Sequence, residues 1–234
     1  MLIFAGFIVL VLFVVHQFTK KSPEFLQKEK LQMQEKVNVL KKDIIDWKHD
    51  SLKNVTNGMD YSFVKSMSSV LTGVINTNDG LPIIAFQRID RGLFVNSRIL
   101  ANTTDFKVYC EFKNEEKLFF FNDVYLGKIT KHFEILDGAN KQIGRCNRNN
   151  AQNSFKVEFR SGEAAVIRKN SDRKNMGKKM RRVRGELRST MVFRDVPPPT
   201  TLILSLNTTD EEELKWIISL TIFEAVYYGF SFVS

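Results

Sequence analysis

Residues 210–234 read DEEELKWIISLTIFEAVYYGFSFVS, and from Leu214 onward this stretch is apolar on nearly every helical face. A helix that is apolar on all sides is either a buried core helix or a membrane span. Its acidic first residues suit the positive end of the helix dipole. Glu224 lies in the middle, where an ionised carboxylate would be costly in a bilayer. We therefore predict a helix over residues 211–232 enclosed by the preceding strands, with a second membrane span as the alternative.

Five side chains of this helix are expected to face the interior of the domain, namely Trp216, Leu220, Phe223, Glu224 and Tyr227. Glu224 is the acid among them, and a buried carboxylate needs a partner. An Arg or Lys from a strand would be a structural partner. A functional carboxylate inside the fold is the alternative.

Upstream of this helix, between residues 82 and 207, the hydrophobic period changes from 3.6 to 2. Such alternation is typical of a sheet with one wet face, and turn pairs such as Asn122-Asp123 separate the segments. The predicted strands are residues 83–88, 93–99, 106–113, 117–121, 128–129, 132–136, 142–145, 155–160, 164–168, 190–194 and 201–206. They predict a mainly β fold, a closed antiparallel barrel of about 10–12 strands around the C-terminal hydrophobic helix.

Residues 1–19 are the predicted transmembrane anchor, because the chain is almost uninterruptedly apolar as far as Phe18. A run of about 18 residues is just long enough to span a bilayer. It has neither the basic start nor the small-residue cleavage site of a signal peptide. Lys20 and Lys21 follow at once, so the positive-inside tendency predicts a single-pass membrane protein with a cytoplasmic C-terminal domain.

Residues 20–56 are predicted to form an amphipathic, coiled-coil-like helical stalk. Its seam recurs every seven residues at Leu26, Met33, Leu40 and Trp47, and Lys30 interrupts it. One interpretation is a short parallel coiled coil that forms a homodimer at the membrane. The other is a single amphipathic helix packed on the following domain.

The remaining chain divides into a connector, residues 57–80, and the barrel domain, residues 81–234. The connector contains either a second short helix or the approach to the first strand. The turn signal Asn78-Asp79-Gly80 marks its end.

The net charge of +9 is concentrated in residues 168–188, here called the basic segment. Its two acids are outnumbered by ten basic residues, which are Arg168, Lys169, Arg173, Lys174, Lys178, Lys179, Arg181, Arg182, Arg184 and Arg188. Basic clusters near a membrane span are typical of anionic-lipid binding, and arginine can hold a phosphate through two hydrogen bonds. The alternatives are a solvated loop or a surface for an acidic protein or nucleic acid. Nucleic-acid binders interleave aromatic residues, which this segment lacks, so we expect no nucleic-acid partner.

Three short segments carry a family resemblance: Leu-Gly-Lys-Ile at residues 126–129, Phe-Glu-Ile-Leu-Asp at 133–137 and Gln-Ile-Gly-Arg at 142–145. They resemble a hairpin of the tubby C-terminal-like superfamily, which includes phospholipid scramblase-like and LURP-one-related proteins. The resemblance implies a closed antiparallel barrel around a hydrophobic helix that comes last, and relatives that often bind membranes or phosphoinositides. The chain lacks the proline-rich tail, the palmitoylated cysteine stretch and the acidic calcium loop of animal scramblases. Calcium-driven lipid scrambling is therefore not expected.

Catalytic motifs are absent from the sequence, including phosphate-binding glycine loops, zinc-protease motifs and nucleophile elbows. The three histidines lie far apart, and Cys110 and Cys146 fit small buried apolar positions, so neither a metal nor a cofactor is expected. We predict a non-enzymatic, membrane-anchored domain that binds anionic phospholipid headgroups through the basic segment. A dimerising scaffold whose barrel binds another protein, and a two-span membrane protein, are the alternatives.

Overall fold

The computed structural model describes residues 23–65, 68–91, 96–113, 115–148, 152–170, 180–183, 186–189 and 198–229. The predicted anchor, residues 1–19, and the predicted strand 190–194 lie outside these ranges. Within them, no helix combines the length and the apolar character that crossing a membrane requires.

Helices lie at both ends of the described chain and strands lie between them. The helical elements are α1 (Pro23–Leu40), a 3-10 turn (Lys41–Asp43), α2 (Ser51–Asn54) and α3 (Glu211–Phe223), which continues as a π-helical turn (Glu224–Tyr228). The strands are β1 (Val55–Lys65), β2 (Ser68–Thr77), β3 (Pro82–Arg91), β4 (Asn96–Asn102), β5 (Lys107–Lys113), β6 (Glu116–Phe121), β7 (Val124–Ile129), β8 (Glu134–Asp137), β9 (Gln142–Asn147), β10 (Ser154–Phe159), β11 (Gly162–Arg168), β12 (Met180–Val183), β13 (Glu186–Ser189) and β14 (Ile203–Leu206).

All strand pairs are antiparallel, and β1 to β11 follow one another in chain order before β14. The ring returns to its start because Thr56 bridges Thr201, and the Leu202 amide donates to the Val55 carbonyl at 3.0 Å. Twelve strands therefore form a nearly closed barrel, and the predicted mainly β antiparallel barrel is confirmed. Closure leaves few free edges for aggregation.

The hairpin of β12 and β13 lies outside this ring of twelve. β13 pairs with the last residues of β1, with Val64 opposite Arg188 and Lys65 opposite Leu187. β12 pairs with β13 within the described chain. The hairpin therefore extends β1 beyond the point where β14 closes the barrel.

The predicted connector, residues 57–80, is instead occupied by β1 and β2, so the barrel begins at Val55 rather than at residue 81. β1 was hard to recognise because it mixes Asn57, Gly58 and Asp60 with its apolar residues, and its register shifts between Val55 and Met59. Gly73 of β2 has a steric role, since a Cβ there would lie 2.1 Å from the Asp60 carbonyl oxygen.

The helix α3 lies inside the barrel. Residues 219–226 are all buried, and more than two turns of burial cover every side of a helix. Phe119 of β6 packs edge-on against Trp216 at 5.6 Å and Phe223 at 5.8 Å between ring centroids. The helix thus follows the enclosed alternative of the sequence analysis. Its described part ends at Tyr228 with the π-helical turn, short of the predicted residue 232.

The predicted stalk, residues 20–56, is not one helix in the described chain, because α1 ends at Leu40, Trp47 lies beyond it and β1 begins at Val55. α1 packs on the outer face of the barrel. Met33 and Val37 of α1 are fully buried against Ala85, Ile89 and Leu100, so β3 is covered on both faces. The seam residue Met33 is therefore used within one chain, as in the second interpretation of this helix. Dimerisation through the rest of the helix stays a prediction.

Candidate functional site at the basic end of the barrel

Antiparallel neighbours place the connections of a barrel alternately at its two ends. The connections after β2, β4, β6, β8 and β10 lie at one end together with the start of α3. The connections after β1, β3, β5, β7, β9 and β11 lie at the other end together with the end of α3. The two ends differ in charge, and we call them the acidic rim and the basic rim.

Eleven acids lie at the acidic rim against eight basic residues. The acids are Asp43, Asp46, Asp50, Asp79, Asp105, Asp123, Asp137, Asp210, Glu211, Glu212 and Glu213, and the basic residues are Lys41, Lys42, Lys48, Lys53, Lys107, Lys141, Arg160 and Lys215. The basic rim carries Lys65, Arg91, Lys113, Lys131, Arg148, Arg168 and Lys169, against Asp90, Glu115, Glu116 and Glu134. Two of these acids are paired, Asp90 and Glu116, and so are two of the cations, Arg91 and Arg148. The excess of positive charge therefore lies at the end where α3 terminates.

The basic segment leaves and returns at the basic rim. It starts where β11 ends, at Arg168, and the chain re-enters the barrel through β14, which begins at this same end. Arg168 Nε donates to the Thr201 carbonyl at 3.1 Å, so this guanidinium fixes the base of the segment. Burial, together with the Arg148 charge, lowers the pKa of Lys169.

The other eight predicted lipid-binding residues are distributed between the hairpin and undescribed stretches. Arg181 and Arg182 lie in β12 and Arg188 in β13. The remaining five, Arg173, Lys174, Lys178, Lys179 and Arg184, lie outside the described residues. The described hairpin therefore brings at least three of the predicted residues to the end of β1.

The carboxyl end of the central helix is held by a buried arginine that sequence reasoning did not single out. Arg88 of β3 donates through Nη1 to the carbonyls of Val226 at 3.0 Å and Tyr227 at 2.7 Å. Its other side pairs with Asp90 at 2.7 Å. Terminal helix carbonyls lack intrahelical partners and carry partial negative charge, so a guanidinium there both satisfies and neutralises them. In the sequence, Arg88 comes two residues after Phe86 and therefore lies on the same face of the strand. This spacing could have indicated an inward-facing arginine.

Glu224 opens the π-helical turn and is 1 % exposed. Its Oε1 accepts hydrogen bonds from Arg148 Nη2 at 3.0 Å and from the Asn170 amide at 2.9 Å. Burial raises the pKa of Glu224, and the Arg148 charge opposes that rise. The expected cationic partner therefore exists, although it follows β9 instead of lying within a strand. π-helical turns occur frequently at functional sites.

Arg148 is itself enclosed by aromatic rings. Its guanidinium carbon lies 4.8 Å from the ring centroid of Phe155 and 4.5 Å from that of Tyr228. Stacking of this kind holds a guanidinium in place while it pairs with a carboxylate. The same region therefore joins β9, β10, the start of the basic segment and the end of α3.

The predicted interior residues of α3 are buried in the structure, apart from Tyr227, which is half-buried. Tyr227 stacks on Phe223, with ring centroids 4.8 Å apart and the planes 13° from parallel. Cys110 and Cys146 are buried free thiols, and burial raises the pKa of Cys146 to about 12. The described part of the chain brings no three metal-ligating side chains together.

Comparison with known proteins identified no relative of this chain. No protein-family model, curated protein or solved structure matches the chain.

Proposed function

We propose that this chain is a membrane-anchored protein whose barrel binds anionic phospholipid headgroups at its basic rim, chiefly through the basic segment. One observation carries the proposal. The first helix enters, and the basic segment leaves, at the same end of the barrel.

The direction of α1 follows from its contacts. Near its start, Glu29 pairs with Arg91 at the basic rim and Phe25 lies against the same arginine, while the next residue, Lys30, reaches obliquely to Asp123. Asn38, near its end, accepts a hydrogen bond from Asn102 at 3.2 Å, where β4 reaches the acidic rim. The chain before Pro23 therefore joins the domain at the basic rim, and the proposed anchor precedes that point by only a few residues.

This placement supports an orientation in which the basic rim faces the bilayer. Each Lys or Arg close to an anionic surface gains about 1 kcal/mol, and the attraction fades within a Debye length. A basic segment on the far side of the barrel from the anchor would lie beyond that range. The acidic rim would then face away from the anionic surface, so that its carboxylates are not repelled by the lipid headgroups.

The tubby-like resemblance remains part of the proposal. A barrel that surrounds its last helix is the architecture that this family would supply, and lipid binding is common among its members. No calcium-dependent step and no catalytic step is included.

The test is flotation of residues 23–234 on neutral and anionic vesicles at low and high salt. This fragment keeps α1, because Met33 and Val37 belong to the packed domain. We expect binding to anionic vesicles that high salt releases. Replacing Lys178, Lys179, Arg181, Arg182 and Arg184 by Gln removes five charges and should weaken binding by about a thousandfold or more, at roughly 1 kcal/mol per charge.

A matched control removes five exposed charges elsewhere, by replacing Lys36, Lys42, Lys53, Lys141 and Arg160 with Gln. That variant has the same net charge but keeps the basic segment, so it should still float with anionic vesicles. Equal losses in the two variants would show a response to net charge alone. Undiminished binding of the first variant would refute the proposed role of the segment.

A further inference from the structure

A small pocket lies at the basic rim between the end of the central helix and the strands β6 to β10. Its polar lining consists of Lys117, Arg148 and Glu224, and its apolar wall includes Phe133 and Phe223. The pocket has room for about one particle of the size of a water molecule. Its contents are therefore limited to a water or a single small ion.

Lys117 is the unusual member of this lining. It is 7 % exposed, and among the described residues no carboxylate or other acceptor lies within hydrogen-bonding distance of its ammonium. Its Nζ is instead surrounded by rings, 5.4 Å from the centroids of Phe112 and Phe133 and 5.9 Å from that of Phe223. Rings attract a cation but do not accept its three N–H bonds as an oxygen or a halide would.

The carboxylate in the pocket does not supply the missing partner. Glu224 Oε1 is already bound by Arg148 and by the Asn170 amide. Two cations and one carboxylate leave the pocket with an excess of one positive charge. Lys169 lies close enough to act electrostatically on Glu224 as well. A largely buried ammonium without a counterion in contact is costly, and a neutral water would satisfy its hydrogen bonds but not its charge.

We propose that this pocket binds one small inorganic anion of halide size, held by the Lys117 ammonium with the Arg148 guanidinium as the second positive charge. The positive charge of the lining excludes a metal cation. The size of the pocket excludes a phosphate group, so the site is distinct from the proposed headgroup contacts of the basic segment. The anion links β6 to the region where Arg148 and Glu224 hold the end of the helix.

The charge on Lys117 gives the site a second property. Burial and then the Arg148 charge lower the pKa of Lys117, while the Glu224 carboxylate acts in the opposite direction. A bound anion favours the charged ammonium. Binding should therefore take up protons at high pH, and the affinity should fall as pH rises through the lowered pKa of Lys117.

The experiment is thermal unfolding of the full chain in detergent, at constant ionic strength, with sodium gluconate replaced stepwise by sodium chloride or bromide. Chloride and bromide should raise the unfolding midpoint, and the rise should saturate. Sulfate and phosphate should not reproduce it, because they are too large for the pocket. Equal midpoints in gluconate and chloride, or a rise in phosphate only, would overturn the proposal.

The variant Lys117→Met removes the ammonium and keeps most of the side-chain volume. It should lower the apparent chloride affinity at least tenfold. The matched control Lys128→Met, which removes a lysine paired with Glu116 on the neighbouring strand, should leave it unchanged. A chloride response retained in Lys117→Met would overturn the assignment.

A direct measurement covers the case in which Lys117→Met does not fold. Crystals of the wild-type protein grown in bromide should show an anomalous peak next to Lys117 Nζ. Ordered density for Lys117 and Arg148 without such a peak would refute the site.

Discussion

The two rims of the barrel use their charged residues in different ways. At the acidic rim, two carboxylates cap nearby backbone amides, and the long-range pairs, such as that of Lys30 with Asp123, are largely open to solvent. Asp137 Oδ1 accepts the amides of Ala139 and Lys141, both at 2.9 Å, and Asp210 accepts the amide of Glu213 at 2.9 Å. At the basic rim, charged groups join elements that are far apart in the chain.

The long-range contacts at the basic rim are more deeply buried than those at the acidic rim. Arg88 binds carbonyls 138 and 139 residues away, and Arg148 binds a carboxylate 76 residues away. The basic rim is also where the first helix, the last helix and the basic segment meet. Stability should therefore depend more on charges at the basic rim than on charges at the acidic rim.

The largest effect is expected for Arg88→Met. The change leaves Asp90 buried without its cation and removes the side-chain donors to Val226 and Tyr227. Breaking a buried pair of this kind costs about 3–5 kcal/mol. Urea unfolding followed by tryptophan fluorescence measures the loss.

The control for Arg88→Met is Lys107→Met at the acidic rim, because Lys107 forms a partly exposed pair with Asp123, which keeps Lys30 as a second partner. That change should cost less than about 1 kcal/mol. Losses of equal size would remove the contrast between the rims.

A smaller effect is expected for Glu29→Gln, which tests how α1 is held. Glu29 is 3 % exposed and pairs with Arg91 and Arg98, whose side chains are partly exposed and therefore partly screened. We expect a loss of about 1–3 kcal/mol. Hydrogen exchange should quicken in α1 before it does so in the barrel. The exposed Glu35→Gln should leave exchange unchanged, and slow exchange of α1 in Glu29→Gln would contradict the assignment.

The smallest effect is expected at the acidic rim, for Asp210→Ala. The substitution removes the N-cap acceptor of α3 and should cost about 1 kcal/mol in urea unfolding. Asp210→Asn keeps an acceptor at the same position and should remain close to wild type. A loss in Asp210→Asn as large as in Asp210→Ala would mean that charge at this rim matters more than capping.

Features set by local pattern could be predicted from the sequence. The strand alternation, the apolar last helix and its acidic start all follow from periodicity and from the helix dipole. The structure has them at nearly the expected residues. The first two strands could not be predicted in this way, because Gly58 and Asp60 interrupt the alternation of β1. In β2, Gly73 has no side chain because the backbone of β1 lies too close to it.

The candidate site was less accessible to sequence reasoning. The alternation of β6 places Lys117 on the same face as Phe119, which is a usable signal for an inward lysine. Arg148 lies just beyond β9, where no periodicity indicates which way a side chain points. Its pairing with Glu224 depends on how the barrel closes around the helix, and that arrangement is non-local.

The position of α3 after the strands that enclose it has a consequence during synthesis. The ribosome makes the wall of the barrel before it makes the core that fills it. At roughly 5–20 residues per second, the interval between Val55 and Tyr228 is roughly ten to thirty-five seconds. Throughout that interval the nascent chain presents unfilled apolar strand faces to the cell. The protein should therefore depend on chaperones during translation, and folding should be completed only after the helix has emerged.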